Sequence, residues 1–182
     1  MLSQAPSRTQ LFLSAKTSTS IPAGNRVVLD ALVQATLDPQ VRSLNFVQTA
    51  TVEATQVALE AIVVVRDDGR YYLDVLEARP ARDLDAEGLA LIALGRLDLK
   101  RLTLTSADIR KEPRFTNANT VWQYRMHPVG IAMRLKVLTV LQDEGPLRLG
   151  CLLKRIDIGR DPAPATMAMA VAIFAPADLS FQ

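Results

Sequence analysis

Apolar positions recur along this chain with two different periods. Between residues 25 and 37, Val28, Leu29, Leu32, Val33 and Leu37 fall at helical spacing, which predicts an amphipathic helix. Asp38-Pro39 stops it, because the residue before a proline avoids the helical region. Residues 41–52 are rich in β-branched and small polar side chains and predict an extended segment. Residues 57–66 contain the continuous apolar run Ile62, Val63, Val64, Val65, which suits a strand covered on both faces. Asp67-Asp68-Gly69-Arg70 is a hairpin turn signal, and residues 71–77 then read as the return strand. Pro80 ends that strand. Residues 84–94 return to helical spacing, and residues 97–104 read as a short strand. Thr105-Ser106-Ala107-Asp108 fits a capping box, so a helix starts there. Residues 117–125 read as a further helix.

The pattern changes near residues 126–130. Beyond it, residues 131–141 are strongly helical, with further helices predicted at 146–156 and 163–174 and a turn at 157–162. Three short helices after a core fit a winged-helix-like module or a helical cap packed on that core. The first 23 residues are rich in Ser, Thr and Gln and read as a flexible arm. The expected organisation is an arm over 1–23, an α/β core over 24–126 with helices flanking a mixed sheet, and a small helical domain over 127–182.

Composition narrows the chemistry. Of 182 residues, 49% are hydrophobic and 22% charged, which is too apolar for a disordered chain. Cys151 is the only cysteine and His127 the only histidine, so an internal disulfide and a thiol-cluster zinc site are excluded, and any histidine-based metal site or Ser/His/Asp triad rests on His127 alone. No apolar run reaches the length of a membrane span, and the expected location is the cytoplasm. A net charge of +2 permits nucleic-acid binding without arguing for it. There is no phosphate-loop, dinucleotide-binding, HExxH or GxSxG motif. Cys151, among Leu149, Leu152 and Leu153, reads as a buried small hydrophobe. Trp122 and Tyr124 read as packing residues, and His127 beside Pro128 as a boundary residue.

What remains is carboxylates near the hairpin. Glu60 enters its first strand and Glu77 lies near the end of the second, with Arg79 two residues on. Strand alternation puts Glu77 and Arg79 on one face. Two such acids at a sheet end can hold magnesium through oxygen ligands, so Glu60 and Glu77 are the candidate metal ligands. The plainer reading makes them solvated strand-end charges, one of them paired with Arg79.

The order helix, Asp38-Pro39, extended segment, Asp68-Gly69 hairpin, then Glu77-Ala78-Arg79-Pro80 resembles the restriction-endonuclease-like core of the TnsA-type transposon endonucleases. The stretch from Leu102 to Arg110, followed by Asn117 and Tyr124-Arg125, resembles the end of that domain. The resemblance covers roughly residues 25–125. It implies a catalytic set at Asp30, Glu60, Glu77 and Arg79, with magnesium if the site is active, and a winged-helix-like domain following. It also implies departures. Asp30 stands where the family has glutamate, Glu60 where it has aspartate, and Arg79 where it has lysine. Arginine is bulky, planar and permanently charged, whereas a lysine can sit compactly beside an attacking water. The alternative register, Asp74-Val75-Leu76, offers no basic residue.

The expectation is therefore a DNA-associated protein with a degenerate, weak or inactive nuclease core, acting on DNA or with a recombination or regulatory partner. A homodimer is compatible with it. Two rivals stay open: an active metal-dependent endonuclease, and a protein-interaction module without a nucleic-acid role. In the tail, Arg134, Lys136, Arg148, Lys154, Arg155 and Arg160 are candidate DNA contacts. The third tail helix carries no charge and includes Met167 and Met169, so it reads as buried or partner-facing rather than as a recognition helix.

Overall fold

Asn25 begins the first helix by accepting a hydrogen bond from the Val27 amide at 2.8 Å, a side-chain cap on one of the helix's orphan donors. In the computed structural model, which describes residues 10–156 and 161–173, this helix (α1) spans Arg26–Leu37. Two short strands precede it, β1 at Gln10–Phe12 and β2 at Ile21–Ala23. After it come β3 (Val41–Val52), β4 (Thr55–Arg66) and β5 (Gly69–Val75). A single 3-10 turn at Leu76–Ala78 leads to α2 (Leu84–Arg96) and β6 (Lys100–Leu104). The remaining helices are α3 (Ser106–Ile109), α4 (Arg114–Gln123), α5 (Ile131–Glu144), α6 (Leu149–Arg155) and α7 (Ala163–Ile173).

The sheet is mixed, in the order β3-β4-β5-β6. β3, β4 and β5 form an antiparallel meander, and β6 pairs parallel to β5, from Tyr71 with Lys100 to Val75 with Leu104. A parallel neighbour needs a crossover, which α2 supplies. Gly69 makes the β4–β5 turn at φ 145°, a conformation side chains rarely adopt. Each face of the sheet has its own core. Ile62, Val64, Val41 and Leu44 pack with Leu32 and Val33 of α1, while Val57, Leu59, Ala61 and Val63 pack with Ala90, Ala93 and Leu94 of α2. The continuous apolar run of β4 thus serves two faces, as its sequence predicts.

The N-terminal reading needs correction. Residues 10–23 are not an arm. β1 and β2 pair antiparallel, Phe12 and Ile21 are buried, and Phe12 stacks on Trp122 with ring centroids 5.3 Å apart. Lys16 is buried as well. Its Nζ donates to the Asp38 carbonyl at 2.6 Å, and its own carbonyl accepts from the Leu44 amide at 2.8 Å. Leu11-Phe12-Leu13 and Ile21-Pro22-Ala23 are too short to show a period, yet Phe12, Ile21 and Ala23 are built into the core.

Several element ends also differ from expectation: α4 starts at Arg114 rather than residue 117, and α6 at Leu149 rather than residue 146. The return strand stops at Val75 rather than residue 77. The strand expected from residue 97 starts at Lys100, because Leu97 caps α2 and Asp98 takes a positive φ of 52°.

The tail has a small core of Met133, Val137, Leu152, Ile156 and Met169. α7 closes it and also packs on α4 and α1, so the apolar third helix joins tail to core. No strand follows β6 among the described residues. Cys151 is exposed, against the expectation of burial. No helix among the described residues is long and apolar enough to cross a membrane.

Candidate functional site

A cleft of about 940 Å³ opens at the end of the sheet, between the start of α1 and the segment that links β5 to α2. Two irregularities shape it. In β4, Val47 pairs with Ala61 and Thr49 with Ala58, so Leu59 and Glu60 together stand opposite Gln48. This is a β-bulge, and Glu60 sits on it at φ 48°. In β5, the strand gives way after Val75 to the 3-10 turn and then to extended chain at Arg79 and Pro80.

Asp74, one residue before the strand ends, is the cleft's central acid. It is 7% exposed. Arg79 turns back and grips it with two parallel bonds, Nε to Oδ1 at 2.7 Å and Nη2 to Oδ2 at 2.6 Å. The fork of a guanidinium matches a carboxylate in this way, and such pairs are among the stronger hydrogen bonds in proteins. Thr103 donates to Oδ2 at 3.4 Å, and Arg101 Nε lies 3.9 Å from the same oxygen. The Arg79 bonds hold the Asp74 carboxyl below its usual range, against the opposing effect of burial. Asp74 is therefore an anion at neutral pH, and Arg79 is correspondingly harder to deprotonate.

The surrounding cations are also engaged. Arg101 donates from Nε to the Tyr72 hydroxyl and lies over that ring at 5.5 Å. Arg82 donates to the carbonyls of Leu59 at 2.6 Å and Ala58 at 3.4 Å, tying the loop after Pro80 to the bulge, and reaches Glu87 at 3.4 Å. Bulge, strand end and loop are thus held together by arginine side chains.

Of the four residues singled out as catalytic, Glu60 and Arg79 line this cleft and Asp30 and Glu77 do not. Glu77 is not on a strand, so alternation says nothing about where it points. It accepts from the Ser106 amide at 2.9 Å and hydroxyl at 2.8 Å, and these bonds lower its carboxyl pKa. It caps the start of α3 alongside the Thr105–Asp108 capping box. Asp30 is 2% exposed and links α1 to the end of α3: it accepts from Arg26 at 3.1 Å and from Arg110 at 3.4 Å. The Glu77 carboxylate expected to ligate a metal with Glu60 is bonded to Ser106, and no group of three or more His, Cys, Asp or Glu placed to hold a metal ion occurs among the described residues.

Sequence reasoning set Asp74 aside as a register without a basic residue and gave no role to Thr103, Arg82 or Arg101. A signal existed for Asp74: it is the one acid in a strand reading Tyr71-Tyr72-Leu73-Asp74-Val75, and aspartate is depleted in strands. In the tail, Arg134, Lys136, Arg148, Lys154 and Arg155 are all exposed, with Arg155 3.4 Å from Glu144, and Arg160 lies outside the described residues. Cations also gather on the sheet's β6 side. Lys100 and Arg66 each lie 5.9 Å from the Tyr71 ring, and Lys100, Arg101, Arg70 and Arg96 are exposed. No family model, curated protein or solved structure matches the chain.

Proposed function

We propose that this chain is a DNA-associated protein on a nuclease-like core, which holds the phosphate backbone without cutting it. The observation that carries this reading is the closed Asp74–Arg79 pair. Metal-assisted hydrolysis needs carboxylate oxygens free to ligate a hard cation that activates water. Here both oxygens of the central acid accept from arginine, Glu77 caps a helix, and Asp30 bridges two helices elsewhere. Glu60 is left as the strand acid of the cleft. Helix, extended segment and Asp68-Gly69 hairpin stand in the order the resemblance to TnsA-type endonucleases implies, which supports the nuclease-like part. The basic and aromatic side of the sheet supports the DNA part: Lys100, Arg101 and Arg70 offer phosphate contacts beside Tyr71 and Tyr72. The exposed tail residues Arg134, Lys136, Arg148 and Lys154 add further positive charge.

The test combines plasmid nicking with magnesium and with manganese and a gel shift on the same DNA. The expected result is a shift that weakens steeply with salt, with no nicking. The double variant Lys100→Glu/Arg101→Glu should weaken the shift by about tenfold or more, since each phosphate contact is a salt-dependent ion-release step. Absence of any shift at low salt would overturn the reading.

One observation favours a second reading, a residual metal-dependent endonuclease. Glu60 holds a positive φ at a bulge on the cleft, and strained residues cluster at active sites. Metal-dependent nicking that is lost in Glu60→Ala would establish that reading in place of the first.

A further inference from the structure

β4 and β5 separate inside the sheet. They pair only from Arg66 with Gly69 to Val63 with Tyr72. Farther from their turn, β4 stays paired with β3 alone, while Leu73, Asp74 and Val75 stay paired with β6. The cleft of about 940 Å³ includes the gap between them, with residues 59–62 on one lip and 73–75 on the other. Its volume falls within the roughly 300–1,000 Å³ of small-ligand sites.

The polar side chains around this gap divide into two sets. The arginines are committed: Arg79 to Asp74, Arg82 to the Leu59 carbonyl and Arg101 to the Tyr72 hydroxyl. A pocket built for a phosphate would need cations able to turn toward it, and those lie on the β6 side of the sheet instead. The second set is uncommitted. Glu60 and Gln48 face each other across the bulge and are exposed, and their side chains make no hydrogen bond or ion pair with a described residue. Asn25 accepts from the Val27 amide through Oδ1, which leaves its Nδ2 donors. The gap therefore offers a carboxylate, which accepts only, together with side-chain amides that can donate.

That set matches the edge of a base. Unpaired bases are read by hydrogen bonds to their Watson–Crick edges and by stacking on aromatic rings, and Phe46 and Tyr72 put such rings on the walls. Guanine alone among the DNA bases carries two adjacent donors on that edge, N1–H and N2–H. The two oxygens of one carboxylate accept both. Guanine O6, beside them, accepts from an amide. In a duplex, cytosine occupies all three groups.

We infer that the cleft takes an unpaired guanine of the bound DNA, with Glu60 as the side chain that selects it. The inference rests on the DNA reading and deepens it: exposed cations beside β6 hold phosphates, and the gap between β4 and β5 reads one base.

Fluorescence anisotropy at one fixed salt concentration tests it. The probes are thymidine single strands of about 15 nucleotides, unmodified or with a central dG, dA or dC. The dG strand should bind about tenfold tighter than the other three, the discrimination of a good bidentate contact. Hypoxanthine in place of guanine removes the N2 donor and should abolish most of that preference with the protein unchanged. Pairing the guanine with a complementary strand should abolish it too. Glu60→Gln should bind all four strands alike, at the affinity of the wild type for thymidine alone. Lys100→Glu should weaken all four by the same factor and keep the preference. Free dGMP, which lacks the neighbouring phosphates, should compete only far above the strand concentration that half-saturates the protein. Equal binding of the four strands would overturn the inference and leave the DNA reading standing. A preference that survives Glu60→Gln or hypoxanthine, or dGMP that competes as well as the strand, would also overturn it. Absence of binding to every strand and to the duplex would remove the DNA reading and the inference together.

Discussion

The two ends of the described chain are attached in opposite ways. Residues 10–23 contain little regular structure, two strands of three residues each, yet Phe12 and Ile21 sit in the main core against Leu32, Leu44 and Trp122. Residues 131–173 are mostly helix, yet α5 and α6 close around a cluster of their own and reach the core through α7. Regular structure is therefore a poor guide to how firmly a segment is held. What holds it is which side chains it places in which core. The N-terminal segment should unfold with the sheet, and α5 with α6 should open separately.

The largest expected effect tests the first half of that contrast. Phe12→Ala removes a buried ring that stacks on Trp122 and should cost about 3–5 kcal/mol, the usual range for such a cavity. Urea unfolding followed by far-UV circular dichroism should show the whole sheet transition shifted, not only a local change. A cost below about 1 kcal/mol, a level typical of surface substitutions, would mean the segment is peripheral after all.

Local pattern made much of the fold legible. α1, the β3 and β4 strands, the Asp68-Gly69 turn and the Thr105–Asp108 capping box each rest on residues near one another in sequence, and each forms where the pattern puts it. The site was less legible because it depends on where pattern breaks. Reasoning from strand alternation carries Glu60 and Glu77 toward a common metal. The bulge at Glu60 and the end of β5 at Val75 remove the alternation that argument needs. Arg79 then reaches back five residues to Asp74, a pairing that strand spacing does not offer. The N-terminal segment was misread for a related reason. Three apolar residues in a row have no measurable period, so composition dominates the reading, and composition says nothing of where Phe12 points.

A smaller effect tests the second half of the contrast. Met169 lies in the tail cluster with Met133, Val137, Leu152 and Ile156. Met169→Ala should cost about 2 kcal/mol, the low end for a buried methionine, because a small cluster can relax around the space. Hydrogen exchange read segment by segment should show α5 and α6 losing protection while β3, β4 and β5 keep theirs, since local openings follow cooperative units. Equal loss in every segment would show that tail and core unfold as one, and the distinction between the two ends would fall.

The smallest expected effect concerns the polar part of the N-terminal attachment. Lys16 donates to the Asp38 carbonyl at the end of α1 and is buried there, with Asp38 and Arg42 as the charged groups around it. Burial lowers its pKa more than Asp38 raises it, and Arg42 lowers it further. In the unfolded chain the lysine titrates at its ordinary value, 10.5. Between the lowered folded pKa and that value, the unfolded chain holds more protons than the folded one. Stability contributed by Lys16 must then rise with pH across that window and level off above it. Lys16→Met removes the titration. The difference in urea midpoint between wild type and variant, measured at neutral pH and again near pH 10, should move in favour of the wild type as pH rises. A difference that is flat, or that moves the other way, would mean the ammonium is better solvated than its burial implies, and that the loop between β1 and β2 is held by Phe12 and Ile21 without help from Lys16.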